Sequence, residues 1–285
     1  MSATVAAGTE VKTLALQLVI VCTLTLAWQV FDDAPVAVAA NRDEALDREA
    51  LPPDIYREEP SIVAPRDAEA GGTWIGYNEH GVFVGITNRW TDAELAAERS
   101  RGLLVADVLE AETAADAESI VEDAVRTDEY DGFYLVLADA STACCYRWDG
   151  TLSYTSFDPG VHVVVNVAVD DTVDIPSVRP DVAREQAANA RAVREALSDP
   201  DDGSVADWLE RAGDVLGDHE YGVCVHENGY GTRSSSLIAL GNGPTRHAFA
   251  SGPPCRIPFE PVVLEAPGSA ETVGISGECD AEGHI

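Results

Sequence analysis

From Cys22 to Val30 the chain keeps a period of two: Cys22, Leu24, Leu26, Trp28 and Val30 alternate with Thr23, Thr25, Ala27 and Gln29. That period lays one set of side chains on one face of a β-strand, and a one-residue slip would turn the whole set over. Asp32-Asp33-Ala34-Pro35 reads as a turn and Val36–Ala40 as a returning apolar run. The chain is therefore committed to an antiparallel hairpin over residues 22–40, which is stable only with more strands and a covering layer. Pairing Val30 with Val36 sets Trp28 by Val38, Leu24 by Arg42 and Cys22 by Glu44. Local geometry thus brings the cysteine beside Asn41-Arg42-Asp43-Glu44, a guanidinium and two carboxylates.

Downstream, residues 45–70 are polar and contain prolines, which predicts a loop. Thr73–Tyr77 and Val82–Thr87 predict a second hairpin around Asn78-Glu79-His80-Gly81, delivering Asn88 at its end. Leu104, Val105, Val108 and Leu109 have helical spacing, as do Ala117, Ile120, Val121, Ala124 and Val125 after a capping Thr113. Strands are expected at Phe133–Ala138, Ala143–Trp148, Thr151–Tyr154 and Val161–Val165, the last ending at Asn166. Helices follow at 181–197 and from Ser204 to Leu216, where Ser204 and Asp207 are spaced for a capping box. Val223–Val225, Ser234–Leu240 and His247–Ala250 read as strands, with Glu227–Gly231 as a loop. After Ser251 the Pro/Gly-rich acidic stretch reads as a surface wrap over 252–285. Hairpins with helices gathered in separate blocks give an α+β class, and a four-layer αββα sandwich of antiparallel sheets covered by helices satisfies the pattern.

With 50 Asp+Glu against 18 Lys+Arg the formal charge is −32, and the only lysine is Lys12. Such a surface repels nucleic acid, whose phosphates need arginine and lysine. The acids are spread along the chain, which points to a surface suited to molar salt, where the Debye length falls to about 3 Å; a specific cationic partner is the alternative. The six cysteines contain no C-x-x-C pair, so no zinc site is expected. His80, His162, His219, His226, His247 and His284 show no ligand spacing and read as structural or exposed. No metal and no cofactor is implied.

Leu14–Val30 is rich in apolar residues, but a membrane span needs about 20 of them and Gln17, Thr23, Thr25 and Gln29 interrupt the run. The change to strand periodicity at Cys22 divides it. Residues 22–251 are expected to form the domain and residues 1–21 an extension. The expectation is a start misassigned upstream of a true one at Val21, so that the mature chain begins at Cys22; a targeting leader or membrane anchor and a cleaved propeptide are the alternatives. The corresponding location is cytoplasmic, with no stable membrane insertion, or exported if the leader is real.

Several blocks carry a family resemblance. Cys22-Thr23-Leu24 opening a strand, Asn41-Arg42-Asp43-Glu44, Gly71-Gly72-Thr73-Trp74-Ile75-Gly76, Gly81 with Thr87-Asn88-Arg89, Ser100-Arg101-Gly102 and Tyr230-Gly231-Thr232-Arg233-Ser234-Ser235 occur in order across residues 22–240. Together they resemble the NRDE (transport and Golgi organisation) family. The resemblance implies a fold of the N-terminal-nucleophile hydrolase type. Its eukaryotic members are linked to Golgi organisation, lipid metabolism and haem handling, which implies haem or an acyl lipid as the ligand class. A more remote similarity is to cysteine amidases of the choloylglycine hydrolase and penicillin V acylase type. It implies a catalytic set of Cys22, Arg42, Asp43, Asn88, Asn166 and Arg233, with Asn41, Glu44, Trp74 and Thr87 around the ligand. The amidases space their Arg and Asp apart, whereas Arg42 and Asp43 are adjacent and must face opposite ways on a strand.

The chemistry follows from the residue types. A thiolate is the nucleophile, and Arg42 would favour it over the thiol. A free α-amine on Cys22 would serve as base, held by Asp43. Asn88 and Asn166 would donate to a developing oxyanion, and Arg233 would hold an acidic substrate group. Singly, each residue also has a structural reading: a buried cysteine, an ion pair, turn caps, a loop bridge. Two functions stay open: a cysteine hydrolase acting on a small molecule through a non-peptide amide or acyl bond, or a carrier using the same cleft without turnover.

Overall fold

The computed structural model describes residues 22–198 and 203–264. The expected extension, its start site and Cys279 lie outside them. In chain order the elements are β1 (Thr23–Trp28), β2 (Val36–Ala45), β3 (Ala50–Arg57), β4 (Ile62–Asp67), β5 (Ile75–Asn78), β6 (Phe83–Asn88), α1 (Arg101–Val108), α2 (Ala114–Thr127), β7 (Phe133–Ala138), β8 (Ala143–Trp148), β9 (Leu152–Ser156), β10 (Gly160–Val165), β11 (Ala168–Val169), β12 (Thr172–Val173), α3 (Pro180–Leu197) and α4 (Val205–Gly217). A 3₁₀ turn at His219–Tyr221 then leads to β13 (His226–Glu227), β14 (Tyr230–Leu240), β15 (Arg246–Ala250) and β16 (Glu260–Pro261).

Two antiparallel sheets result. One runs β12-β11-β10-β1-β2-β14-β15-β16, with β13 paired to β14; the other runs β3 to β9 in sequence order. Period-two patterning gives each sheet two apolar faces, so three cores form. Leu24, Leu26, Trp28, Val36, Val38 and Ile238 meet Tyr77, Phe83, Tyr134, Val136 and Cys145 between the sheets. Ala27, Ala37, Ala39, Val163 and Val165 lie under α3 and α4, where the small residues of the strands let Trp208 and Leu216 sit close. Val84, Leu135, Leu137 and Cys144 meet Leu104, Val105, Val108 and Val121 of α1 and α2. The layers are therefore helix, sheet, sheet, helix. Cys144 and Cys145 point to opposite faces of β8 as small buried hydrophobes. Thr113 caps α2, and Ser204 with Asp207 closes a capping box on α4. No helix among the described residues is long and apolar enough to cross a membrane.

Four expectations are corrected. The first hairpin pairs Trp28 with Val36 and Thr23 with Asn41, two residues from the expected register. The connection is longer than Asp32–Pro35: Gln29 takes a left-handed φ of 52°, its N–H bonds the Pro35 carbonyl, and Phe31 turns into the core. A shift of two keeps every side chain on its face. Residues 45–70 are not a loop. Pro52 and Pro53 lie in β3, an edge strand whose ladder is irregular between Leu51 and Asp54, where a missing N–H costs no ladder bond. Val223–Val225 is not a strand: its backbone bonds run to the Asn41 side chain and to both the hydroxyl and the N–H of Thr232. Glu227–Gly231, expected as a loop, is the tight β13–β14 turn with Gly229 at φ 81°.

Candidate active site

Cys22 stands at the entrance of β1, the central strand flanked by β2 and β10. It lines a cleft of about 170 Å³ together with Arg42 and Glu44 from β2, Thr73 and Trp74 before β5, Thr87 and Asn88 at the end of β6, and Arg101 at the start of α1. Leu24, Ala40, Ile75 and Ile86 supply its apolar lining. Two glycines bring these segments together. A Cβ on Gly72 would lie 2.2 Å from the Gly102 carbonyl carbon, so the 71–76 and 100–102 blocks pack backbone on backbone. The Thr73 N–H donates to the Gly102 carbonyl at 3.0 Å across that contact. Ser100 caps α1 and fixes Arg101 at its first position.

The alternation of β2 divides the Asn41–Glu44 tetrapeptide. Arg42 and Glu44 face the cleft. Arg42 lies over the Trp74 ring at 4.2 Å and pairs with Asp67 at 3.4 Å and Glu44 at 3.6 Å. Arg48 joins Asp67 at 2.8 Å. Asn41, expected to touch ligand, faces α4 instead: its amide donates to the Leu216 and Val223 carbonyls, and its oxygen accepts from Ser235. Asp43 is fully enclosed, its Oδ1 accepts from the Thr232 hydroxyl at 2.5 Å, and its Oδ2 has no hydrogen-bond partner. Burial drives the Asp43 carboxyl well above the usual carboxylate range, against the pull of Thr232 and Arg42.

Asn166 corrects a second expectation. Its oxygen accepts from the backbone nitrogen of Cys22 at 2.9 Å and from Gln186, while its amide donates to the Asn88 carbonyl. The side chain orients the Cys22 nitrogen rather than reaching into the cleft. Asn88 does line the cleft, and Thr87 places a buried hydroxyl there without a partner. Arg233 lies elsewhere. It is the extra residue of a bulge between Thr232 and Ser234, which turns it into a neighbouring pocket with Leu51 and Phe249, its guanidinium donating to the Arg48 carbonyl. Arg101 is a further site residue, carried by the Ser100-Arg101-Gly102 block. It lines the cleft half-buried, pairs with Asp131 at 3.5 Å and bonds the Gly132 carbonyl, with Cys22 and Glu44 within reach of its charge.

The Cys22 thiol contacts the Asp43 carbonyl at 3.7 Å. Burial, then the Asp43 carboxylate, push it up to about 12; Arg42 opposes both and does not prevail. With its nitrogen in a peptide bond, Cys22 is therefore a thiol and not a thiolate at neutral pH.

Away from the cleft, His219, Cys224, His226 and Cys255 converge so that their ligand atoms lie within 4.8 Å of one another. The expectation from spacing along the chain did not include this grouping. The spacing along the chain gave no sign of it, because 28 residues separate His226 from Cys255 and the β14–β15 hairpin closes that gap.

A helix–sheet–sheet–helix sandwich with a cysteine at the head of a central strand defines the N-terminal-nucleophile hydrolase fold class. Penicillin V acylase from Agrobacterium tumefaciens shares it, with a TM-score of 0.53 at 14% identity over 81% of this chain and 83% of that one. So does the Caenorhabditis elegans orthologue of N-acylethanolamine-hydrolyzing acid amidase, with 0.51 at 14% identity, covering 76% and 92%. The chain belongs to the Transport and Golgi organisation 2 family, whose model matches residues 21–248. The mouse Transport and Golgi organization 2 homolog is 27% identical over 243 residues, spanning 74% of this chain and 86% of that protein.

Proposed function

We propose that this chain is a cysteine amidohydrolase that cleaves a non-peptide amide or related acyl bond through Cys22. The observation that carries the reading is the unpartnered Oδ2 of enclosed Asp43, beside a Cys22 nitrogen that Asn166 already orients. A buried carboxylate without a cation is costly. A free α-amine on Cys22 supplies that cation on taking the thiol proton, and the ammonium so formed favours both the Asp43 carboxylate and the thiolate.

The free α-amine takes the thiol proton, and sulfur adds to the substrate carbonyl carbon. Asn88 donates to the oxyanion. The tetrahedral intermediate collapses with cleavage of the C–N bond, and the amine leaves with the proton from the α-ammonium. Water, deprotonated by the same amine, then hydrolyses the thioester to the free acid and restores the thiol. Arg42 and Arg101 fit a substrate that carries an acidic group near the scissile bond.

One observation favours a second reading. While Cys22 is peptide-bonded its thiol stays protonated, and the cleft is then a binding site lined by three guanidiniums, those of Arg42, Arg48 and Arg101. A haem propionate or an acyl-lipid acid group matches it, in keeping with the word transport in the mouse relative's name. Intact mass of the native protein followed by an electrophilic acyl-amide probe separates the two. The hydrolase reading expects a chain starting at Cys22 and a stoichiometric adduct on that residue, absent in Cys22→Ser. Protein starting at Cys22 that takes no adduct at neutral pH refutes it.

A further inference from the structure

We infer that His219, Cys224, His226 and Cys255 form a four-ligand zinc site that fastens the segment after β15 to the stretch between α4 and β14. Zinc takes Cys₂His₂ sets in tetrahedral geometry, with Zn–S near 2.3 Å and Zn–N near 2.0–2.1 Å. Those lengths place a sulfur and a nitrogen about 3.6 Å apart on a tetrahedral edge. Cys224 Sγ and His226 Nε2 are 3.6 Å apart, and His226 Nε2 and Cys255 Sγ 3.1 Å. The His219 and His226 rings meet edge to face at 5.2 Å. The widest separation, 4.8 Å, closes by small side-chain rotations, because three of the four residues are exposed and free to turn.

The backbone fixes this convergence independently of the side chains. His219 begins the 3₁₀ turn after α4, and Gly222, at φ 65°, ends it. A Cβ on Gly217 would lie 3.3 Å from the backbone nitrogen of Cys255, so the end of α4 and the 253–257 turn approach with no side chain between them. A Cβ on Gly231 would lie 2.5 Å from the Val225 carbonyl oxygen, which brings the Cys224–His226 segment close onto β14. Two thiolates balance the charge of a divalent ion, so the centre adds nothing to the net charge of the chain. Four protein ligands leave no open position, which assigns the ion a structural rather than a catalytic part.

The consequence reaches the cleft. Val225 exchanges two hydrogen bonds with Thr232, and Thr232 donates to Asp43; Val223 accepts from Asn41. Holding residues 219–226 therefore holds both inward-facing residues of the tetrapeptide.

The test uses the full chain, stripped with a chelator in concentrated KCl and titrated with Zn²⁺ alone and Co²⁺ alone. One zinc per chain is expected by elemental analysis, and cobalt should give tetrahedral d–d bands with a thiolate-to-metal charge-transfer band. Cys255→Ser, at an exposed position, should keep the fold by circular dichroism and weaken zinc binding by on the order of a hundredfold. Cys22→Ser should bind as the wild type does. Absence of stoichiometric zinc together with absence of the charge-transfer band overturns the site. So does wild-type affinity in Cys255→Ser, or a mass lowered by two hydrogens that shows Cys224 and Cys255 joined as a disulfide.

Discussion

Gly71 and Gly72 are adjacent yet are needed for different reasons, and replacing each by alanine separates them. At Gly71 a Cβ meets nothing within 4 Å, but φ is +75°. The cost there is the left-handed conformation alone, about 1 kcal/mol. At Gly72 the Cβ would lie 2.2, 2.5 and 2.6 Å from Gly102 C, Gly102 O and Leu103 N. Carbon contacts relax near 3.5–4.0 Å, so the two backbones must part by more than about 1 Å. Overpacking of this kind costs about 1–3 kcal/mol, and losing the Thr73–Gly102 hydrogen bond about 1 more. Gly72→Ala is therefore expected to lose about 2–4 kcal/mol, roughly twice Gly71→Ala or more. Urea unfolding in the salt that best stabilises the wild type measures both, with the slope checked for constancy. Trp74 should shift its fluorescence in Gly72→Ala alone, since its contact with Arg42 depends on that packing. Equal losses in the two variants would refute the backbone-contact argument.

Three further outcomes follow. In protein that keeps residues before Cys22, the thiol near 12 leaves about a thousandfold less thiolate at neutral pH than an ordinary cysteine, so alkylation should rise only at alkaline pH. Protein starting at Cys22 should label at neutral pH, and Arg42→Ala should slow it in both; mass-spectrometric labelling across a pH series that shows no such difference removes the α-amine from the argument. His247 is buried with neither ring nitrogen bonded, and burial pushes it down to about 4. Its folded value lies below the unfolded one near 6.5, so its contribution is complete above pH 6.5 and is lost as pH falls toward 4, on the order of 3 kcal/mol. His247→Gln should flatten that part of the stability–pH curve, and an unchanged curve would contradict it. Finally, a net charge of −32 should make the folded state depend on roughly molar KCl; circular dichroism showing an unchanged melting temperature at about 0.1 M would refute this.

The layered fold was legible because period-two and helical spacings are local: β7 and β8 match their expected bounds residue for residue. The opening of the site was legible for the same reason, since a register error of two still leaves Cys22 and Arg42 on one face. What escaped depends on non-local partners. The bulge that removes Arg233 exists only in the β14–β2 pairing. Asn166 reads as an oxyanion donor along the chain, but its amide donates to the Asn88 carbonyl, and its oxygen accepts from Gln186 of α3. Pro52 and Pro53 signal a loop anywhere except at a sheet edge, and edge position is a property of the whole sheet.

The pairing of β1 sets a clock on the ribosome. Cys22 is among the first described residues to emerge, but Asn166, which secures its nitrogen, follows 144 positions later. At about 5–20 residues per second, translation leaves that nitrogen unclaimed for roughly 7–30 seconds. If the chain is trimmed to Cys22, the trimming enzyme would work more easily on an unpaired strand than on one wedged between β2 and β10. Slow elongation between the two strands would favour trimmed chains, and fast elongation would favour chains that fold with the cysteine still internal.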